Sequence, residues 1–220
     1  NIMCGIAAIF SDKPVAGELY DSIIHLQHRG QDAAGIMTYD ERMHKEKGMG
    51  LAKEIFNEEN MSLLKGTIGI SHNRYPTHGG FSHGEVQPFW TSVPYGIALA
   101  HNGNLTNYNE LAKEVTKTET RYLNTTSDSE VLLHLFADEL HQTIPPQTDE
   151  EFFDLLCESV TSIFNKVKGA YSVTSMIIGK GLVVFRDPQG IRPLVKGERK
   201  NDSGKTDYIF ASENTMFYPL

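Results

Sequence analysis

Cys4 opens a short apolar run, CGIAAIF over residues 4–10, directly behind Met3. A cysteine in an apolar strand is ordinarily a small buried side chain. Its position gives this one a second reading. Removal of Met3 would leave Cys4 with a free α-amine beside its thiol. Such an amine has a reference pKa of about 7.7–8.0 and acts as a base near neutral pH. Nucleophile and general base then belong to one residue, as in enzymes built on an N-terminal nucleophile. The other cysteine, Cys157, falls among Phe152, Phe153, Leu155, Leu156 and Val160 and reads as buried packing.

Two polar segments follow apolar runs. SHNRYPTHGG (71–80) sets Arg74, Thr77 and His78 in a turn rich in Pro and Gly, and AHNGNLTN (100–107) sets Asn102 and Gly103 at the end of a strand. Both pass as ordinary turns. Their residue types also suit catalysis. An amide side chain beside an unhindered backbone N–H can donate to a developing oxyanion. An arginine forks onto a carboxylate. Asp128, at the start of a helix, complements the helix dipole and could also pair with a substrate ammonium.

The elements that must hold these residues follow from the pattern. Residues 4–10, 33–39, 67–74 and 95–102 read as strands. Leu19, Ile23, Ile24 and Leu26–Gln27 fit one helix face that ends near Gly30. Ser127 with Glu130, and Thr148 with Glu151, read as capping boxes opening helices over 127–140 and 148–164, separated by Pro145–Pro146. Strands return at 170–178, 182–187 and 207–212, with Gly179–Lys180–Gly181 as a hairpin turn. Strands, two adjacent helices, then strands make an α+β chain, most simply two sheets with helices on their outer faces.

MCGIAAIF, LQHRGQDAAGI (26–36), HNRYPTHGG, EVQPF (85–89), LAHNGNLTN, SDSEVLLH (127–134) and RDPQGIRPL (186–194) occur in one order. Together they resemble the class II glutamine amidotransferase domain of the amidophosphoribosyltransferases, over nearly the whole chain. HRGQDAAGI and DPQGIRPL are the discriminating words. The resemblance implies an N-terminal nucleophile hydrolase fold, a four-layer αββα sandwich of two antiparallel sheets. It implies Cys4 as nucleophile with its freed amine as base, and Asn102 and Gly103 as oxyanion hole. Arg74 would hold the glutamine carboxylate and Asp128 its ammonium. Thr77 and His78 would lie in the glutamine loop, and Arg29 would support the N-terminus. The activity implied is hydrolysis of glutamine to glutamate and ammonia through a γ-glutamyl thioester. In the full-length enzyme the ammonia would serve phosphoribosyl pyrophosphate in the first step of purine biosynthesis.

Residues 1–3 read as a leader and 4–220 as the glutaminase domain, with the phosphoribosyltransferase domain absent. That domain is the expected partner, together with glutamine and, at full length, further copies of the same enzyme. No cofactor or metal is expected in this chain; magnesium would belong with the missing domain. The His at 78 also resembles the loop of glucosamine-6-phosphate synthases, which makes a glucosamine-type glutaminase one alternative. A non-catalytic glutamine-binding module, with the leader retained, is the other.

Bulk properties bound the rest. The 220 residues, with 40% hydrophobic and 22% charged, suffice for a buried core. A formal charge of −8 argues against nucleic acid or an anionic membrane as partner. No stretch approaches the ~18 apolar residues of a membrane span, and no secretory signal opens the chain. Two distant cysteines suggest reduced thiols in a cytoplasmic protein.

Overall fold

The computed structural model describes residues 3–75, 83–117 and 121–217. Its strands are β1 (Gly5–Phe10), β2 (Ala33–Tyr39), β3 (Met43–Met49), β4 (Ile68–Arg74), β5 (Phe89–Thr91), β6 (Ile97–Leu105), β7 (Gly169–Ile177), β8 (Gly181–Arg186), β9 (Val195–Lys200) and β10 (Thr206–Ala211). The helices are α1 (Ala16–His25), the single-turn α2 (Ala52–Ile55) and α3 (Glu58–Met61), α4 (Tyr108–Lys117), α5 (Asp128–Glu139) and α6 (Asp149–Lys166). One sheet has the order β3-β2-β4-β1-β10-β9 and the other β5-β6-β7-β8. Every pairing is antiparallel.

The layers follow from which face each strand buries. In β1, Ala7 and Ile9 pack with Leu19 and Ile23 of α1, while Ile6 and Ala8 pack with Ala98 and Ala100 of the opposite sheet. Both faces are covered, which is why the strand reads as an unbroken apolar run. The middle layer sets Ala8, Ala98 and Ala100 among Ile6, Met37, Ile70 and Met176. Leu99, Val173 and Phe185 pack on the far side against Val131, Leu135 and Phe136 of α5 and Phe152 and Ile163 of α6. Helix, sheet, sheet, helix is the four-layer arrangement the resemblance implies.

Several details differ from the sequence reading. α1 stops at His25 and passes into a 3-10 turn over Gln27–Arg29. Neither capping box closes. Ser127 accepts from the Ser129 N–H, but the Glu130 carboxylate reaches back to Asn124 and Thr125. Thr148 accepts from the Glu151 N–H, and the Glu151 carboxylate takes the N–H of Gln147 instead. Cys157 is exposed rather than packed. α6 buries Phe152, Leu155, Ser159 and Ile163, a stripe at three- and four-residue spacing that leaves position 157 on the outer face. No helix among the described residues is long and apolar enough to cross a membrane.

The middle layer carries a testable load. Ile70 is fully buried there, whereas Val93 is 53% exposed. Ile70→Ala is expected to cost about 2–5 kcal/mol in urea unfolding. Val93→Ala should stay within about 0.5 kcal/mol of the parent.

Candidate active site

The chemistry-bearing residues gather at one edge of the sandwich because of strand register. β1 pairs with β4 so that Gly5 faces Asn73, which sets Cys4 beside Arg74. Cys4 continues the row of Ile6 and Ala8 toward the middle layer, and Arg74 continues that of Ile70 and His72. The other face of β4 is tied to α1, with Asn73 Nδ2 donating to the Ile23 carbonyl at 2.8 Å. Facing these from the second sheet, β6 runs on through Leu105, so Asn102 and Gly103 lie within a strand and not in a turn. Gly103 is required there: a Cβ would sit 2.2 Å from the Ala170 carbonyl oxygen.

A pocket of about 260 Å³ opens at this edge, and Cys4, Arg74, His101, Gly103 and Asp128 line it. Asn102 is buried beside the pocket without lining it, and its Nδ2 has no hydrogen-bond partner among the described residues. Cys4 is partly buried, and its Sγ accepts from the Tyr75 N–H at 3.5 Å. Burial pushes its thiol pKa up, and the Tyr75 N–H and the Arg74 charge offset this only in part. Arg29 is buried, and its Nε donates to the Cys4 carbonyl at 3.0 Å. The turn that carries Arg29 comes this close because Gly30 has no side chain; a Cβ there would lie 2.5 Å from the Arg74 backbone. Thr77 and His78 lie outside the described residues.

Asp128 is the first residue of α5. Its Oδ2 accepts from the Leu105 N–H at 3.0 Å, and Oδ1 lies 3.6 Å from His101 Nδ1. Burial acts to raise its pKa, but His101 and the surrounding donors outweigh that, and the net direction is down. Asp128 therefore presents a negative charge to the pocket at neutral pH. His101 Nδ1 is also 2.9 Å from the Ser129 hydroxyl. His72, fully buried and next to Arg74 in the same row of β4, is pushed by burial down to about 3 and is neutral.

The segment EVQPF carries two further residues that shape the site, Glu85 and Gln87. Glu85 accepts from Arg74 Nη2 at 2.9 Å and from the Thr126 hydroxyl at 3.0 Å, tying the guanidinium to the segment that leads into α5. Gln87 locks onto β6 with both ends of its amide, accepting from the His101 N–H at 2.7 Å and donating to its carbonyl at 3.3 Å. Their short spacing to Arg74 was visible, but which strand they would reach was not. Among the described residues no group of three or more His, Cys, Asp or Glu is placed to hold a metal ion.

A central pair of antiparallel sheets between helices, with a nucleophile candidate at the head of a middle strand, is the architecture of the N-terminal nucleophile hydrolases. Similarity narrows this further. The glutamine amidotransferase domain family matches residues 72–219, and the chain belongs to it. The amidophosphoribosyltransferase of Escherichia coli (strain K12) is 47% identical over 222 residues, covering 99% of this chain and 43% of that protein. That of Haemophilus influenzae is 49% identical over 213 residues, covering 96% and 41%. The solved glutamine phosphoribosylpyrophosphate amidotransferase of B. subtilis superposes with a TM-score of 0.78 at 33% identity, covering 97% of this chain and 43% of that one. The chain thus spans less than half the length of these relatives.

Glu130 shapes the pocket wall from behind. Its carboxylate accepts four hydrogen bonds from the backbone and side chains of Asn124 and Thr125, fixing the segment that delivers Thr126 to Asp128. Burial alone would raise its pKa above the reference 4.5, but these donors bring it below. A lowered folded-state pKa gives stability that is present above the unfolded value and lost as pH falls through the folded one. Glu130→Gln is expected to cost about 1–3 kcal/mol at pH 7. The deficit should shrink below pH ~4, as measured by denaturant unfolding across pH. A deficit unchanged by acid would show that the charge is not what holds the segment.

Proposed function

We propose that this chain is the glutamine-hydrolysing part of an amidophosphoribosyltransferase, with residues 4–220 forming the glutaminase domain. The observation that carries the reading is the convergence of Cys4, Arg74 and Asp128 on one pocket. A thiol, a cation and an anion are the three groups that glutamine's side-chain amide, α-carboxylate and α-ammonium call for. High identity to amidophosphoribosyltransferases over almost the entire chain favours this acceptor class over a glucosamine-type one.

In this reading the freed α-amine of Cys4 takes the thiol proton as Sγ attacks the carboxamide carbon. The oxygen becomes an oxyanion, and Asn102 Nδ2 is a donor without another partner among the described residues. Collapse breaks the C–N bond, and the protonated amine returns its proton to the leaving nitrogen, releasing ammonia. Water then attacks the γ-glutamyl thioester, giving glutamate and the restored thiol. The released ammonia passes to phosphoribosyl pyrophosphate on the remainder of the longer polypeptide. Magnesium use, assembly into homo-oligomers and a cytoplasmic location belong to that whole enzyme.

Cys4→Ala is expected to abolish ammonia release from glutamine while the protein stays folded, and Cys157→Ala to retain it. Persistent release in the Cys4 variant would remove Cys4 from the mechanism. Arg74→Lys and Asp128→Asn should each raise KM for glutamine about tenfold or more, the loss of one charge-assisted contact at about 1.5–3 kcal/mol. Asn102→Ala should instead lower kcat on the order of 10²–10³-fold. A change confined to KM would make Asn102 a substrate-positioning group.

A further inference from the structure

The segment after β10 returns to the start of β1. Ser212 exchanges two hydrogen bonds with Ile6: its Oγ accepts from the Ile6 N–H at 3.0 Å, and its own N–H donates to the Ile6 carbonyl at 3.0 Å. The next residue, Glu213, takes Arg29 Nη1 on one carboxylate oxygen and lies 3.0 Å from His28 Nε2 with the other. Arg29 uses its Nε on the Cys4 carbonyl. Two contacts, one carboxylate–guanidinium and one guanidinium–carbonyl, therefore connect residue 213 to residue 4.

Arg29 is 7% exposed, and a buried guanidinium without a counter-charge is costly. Among the described residues Glu213 is its carboxylate partner. A long side chain held only by the Cys4 carbonyl would keep much of its rotamer freedom. The second, charged contact fixes the plane of the fork. Arg29 and Glu213 do not line the pocket, so neither is placed to touch substrate.

We propose that Glu213 is a positioning residue for the nucleophile. It orients Arg29 so that Nε holds the Cys4 carbonyl, and with it the Cys4–Gly5 peptide plane from which the α-amine and thiol project. This rests on the reading of Cys4 as the nucleophile. Its consequence is a division of labour: Arg74 and Asp128 govern capture of glutamine, while Arg29 and Glu213 govern the angle of attack. Because Glu213 follows β10 directly, the geometry of that segment feeds into the reactivity of Cys4.

The test uses the full-length polypeptide in a Cys157→Ser background, with Glu213→Gln, Glu213→Ala, Arg29→Lys and the Arg29→Lys/Glu213→Gln double variant. Glutaminase kcat and KM are measured together with the rate of Cys4 alkylation by iodoacetamide, read on the Cys4 peptide by mass spectrometry. Glu213→Gln keeps an acceptor and the fold, so it decides if Glu213→Ala does not fold. Glu213→Gln and Arg29→Lys are each expected to lower kcat about tenfold, as for misplacement of a reacting group, with KM within about twofold. Cys4 alkylation should slow by a similar factor. The double variant should be no worse than the weaker single variant, since both act through one contact. Multiplying effects, an effect on KM alone, or unchanged kcat and alkylation in folded Glu213→Gln would overturn the proposal. An unsubstituted protein that releases no ammonia would instead refute the glutaminase reading, and the alkylation rates would still decide the role of Glu213.

Discussion

The register of β1 against β4 is the constraint on which the site depends. Gly5 opposite Asn73 puts Cys4 next to Arg74 and on the same face as Ile6. A slip of one residue would turn Cys4 toward α1 and send Ile6 and Ala8 out of the middle layer. The register is specified twice over. Both faces of β1 are buried, so either slip exposes the wrong side chains to the wrong layer. The strand's first residues are also held individually, Ile6 by Ser212 and the Cys4 carbonyl by Arg29. Cys4, the proposed nucleophile, sits at a strand head whose neighbours are held in place.

The second sheet completes the pocket through a short polar chain. Gln87 grips the backbone of His101, His101 lies against Ser129 and Asp128, and Asp128 takes the Leu105 N–H at the end of the same strand. Glu85 spans from this side to Arg74. The two charges suited to the ends of an amino acid are thus fixed by different sheets, and their separation is set by how closely the sheets pack. Ala8, Ala98 and Ala100 lie in the middle layer between the sheets, together with Ile6, Met37, Ile70 and Met176. The packing core and the recognition geometry are one structure seen at two depths.

What the sequence disclosed tracks where burial writes a pattern. Strands buried on both faces, such as AAGIMTY at Ala33–Tyr39, announce themselves as apolar runs. The edge strands MHKEKGM at Met43–Met49 and VKGERK at Val195–Lys200 did not, because charged residues fill them and their residue types show no apolar–polar alternation. α4 escaped notice for a similar reason, burying only Leu111 and Val115. Cys4, Arg74, Asn102, Gly103 and Asp128 stood out by residue type beside apolar runs. Glu85, Gln87 and Glu213 did not. Each acts on a partner that a turn or a strand pairing brings to it, and a polar side chain's partner is a property of the fold and not of its neighbours in sequence.

The central claim is that Cys4 carries its own base. Burial raises the thiol's pKa, so an unaided Sγ would be protonated at neutral pH. An amide nitrogen joined to Met3 has no basicity to offer, whereas a free α-amine does. The direct measurement compares two proteins that differ only in whether residues 1–3 precede Cys4, with masses verified, assayed for ammonia release from glutamine. The account predicts turnover when Cys4 is the first residue and little or none when it is not. Equal turnover would contradict it and shift the role of base to His78 or His101.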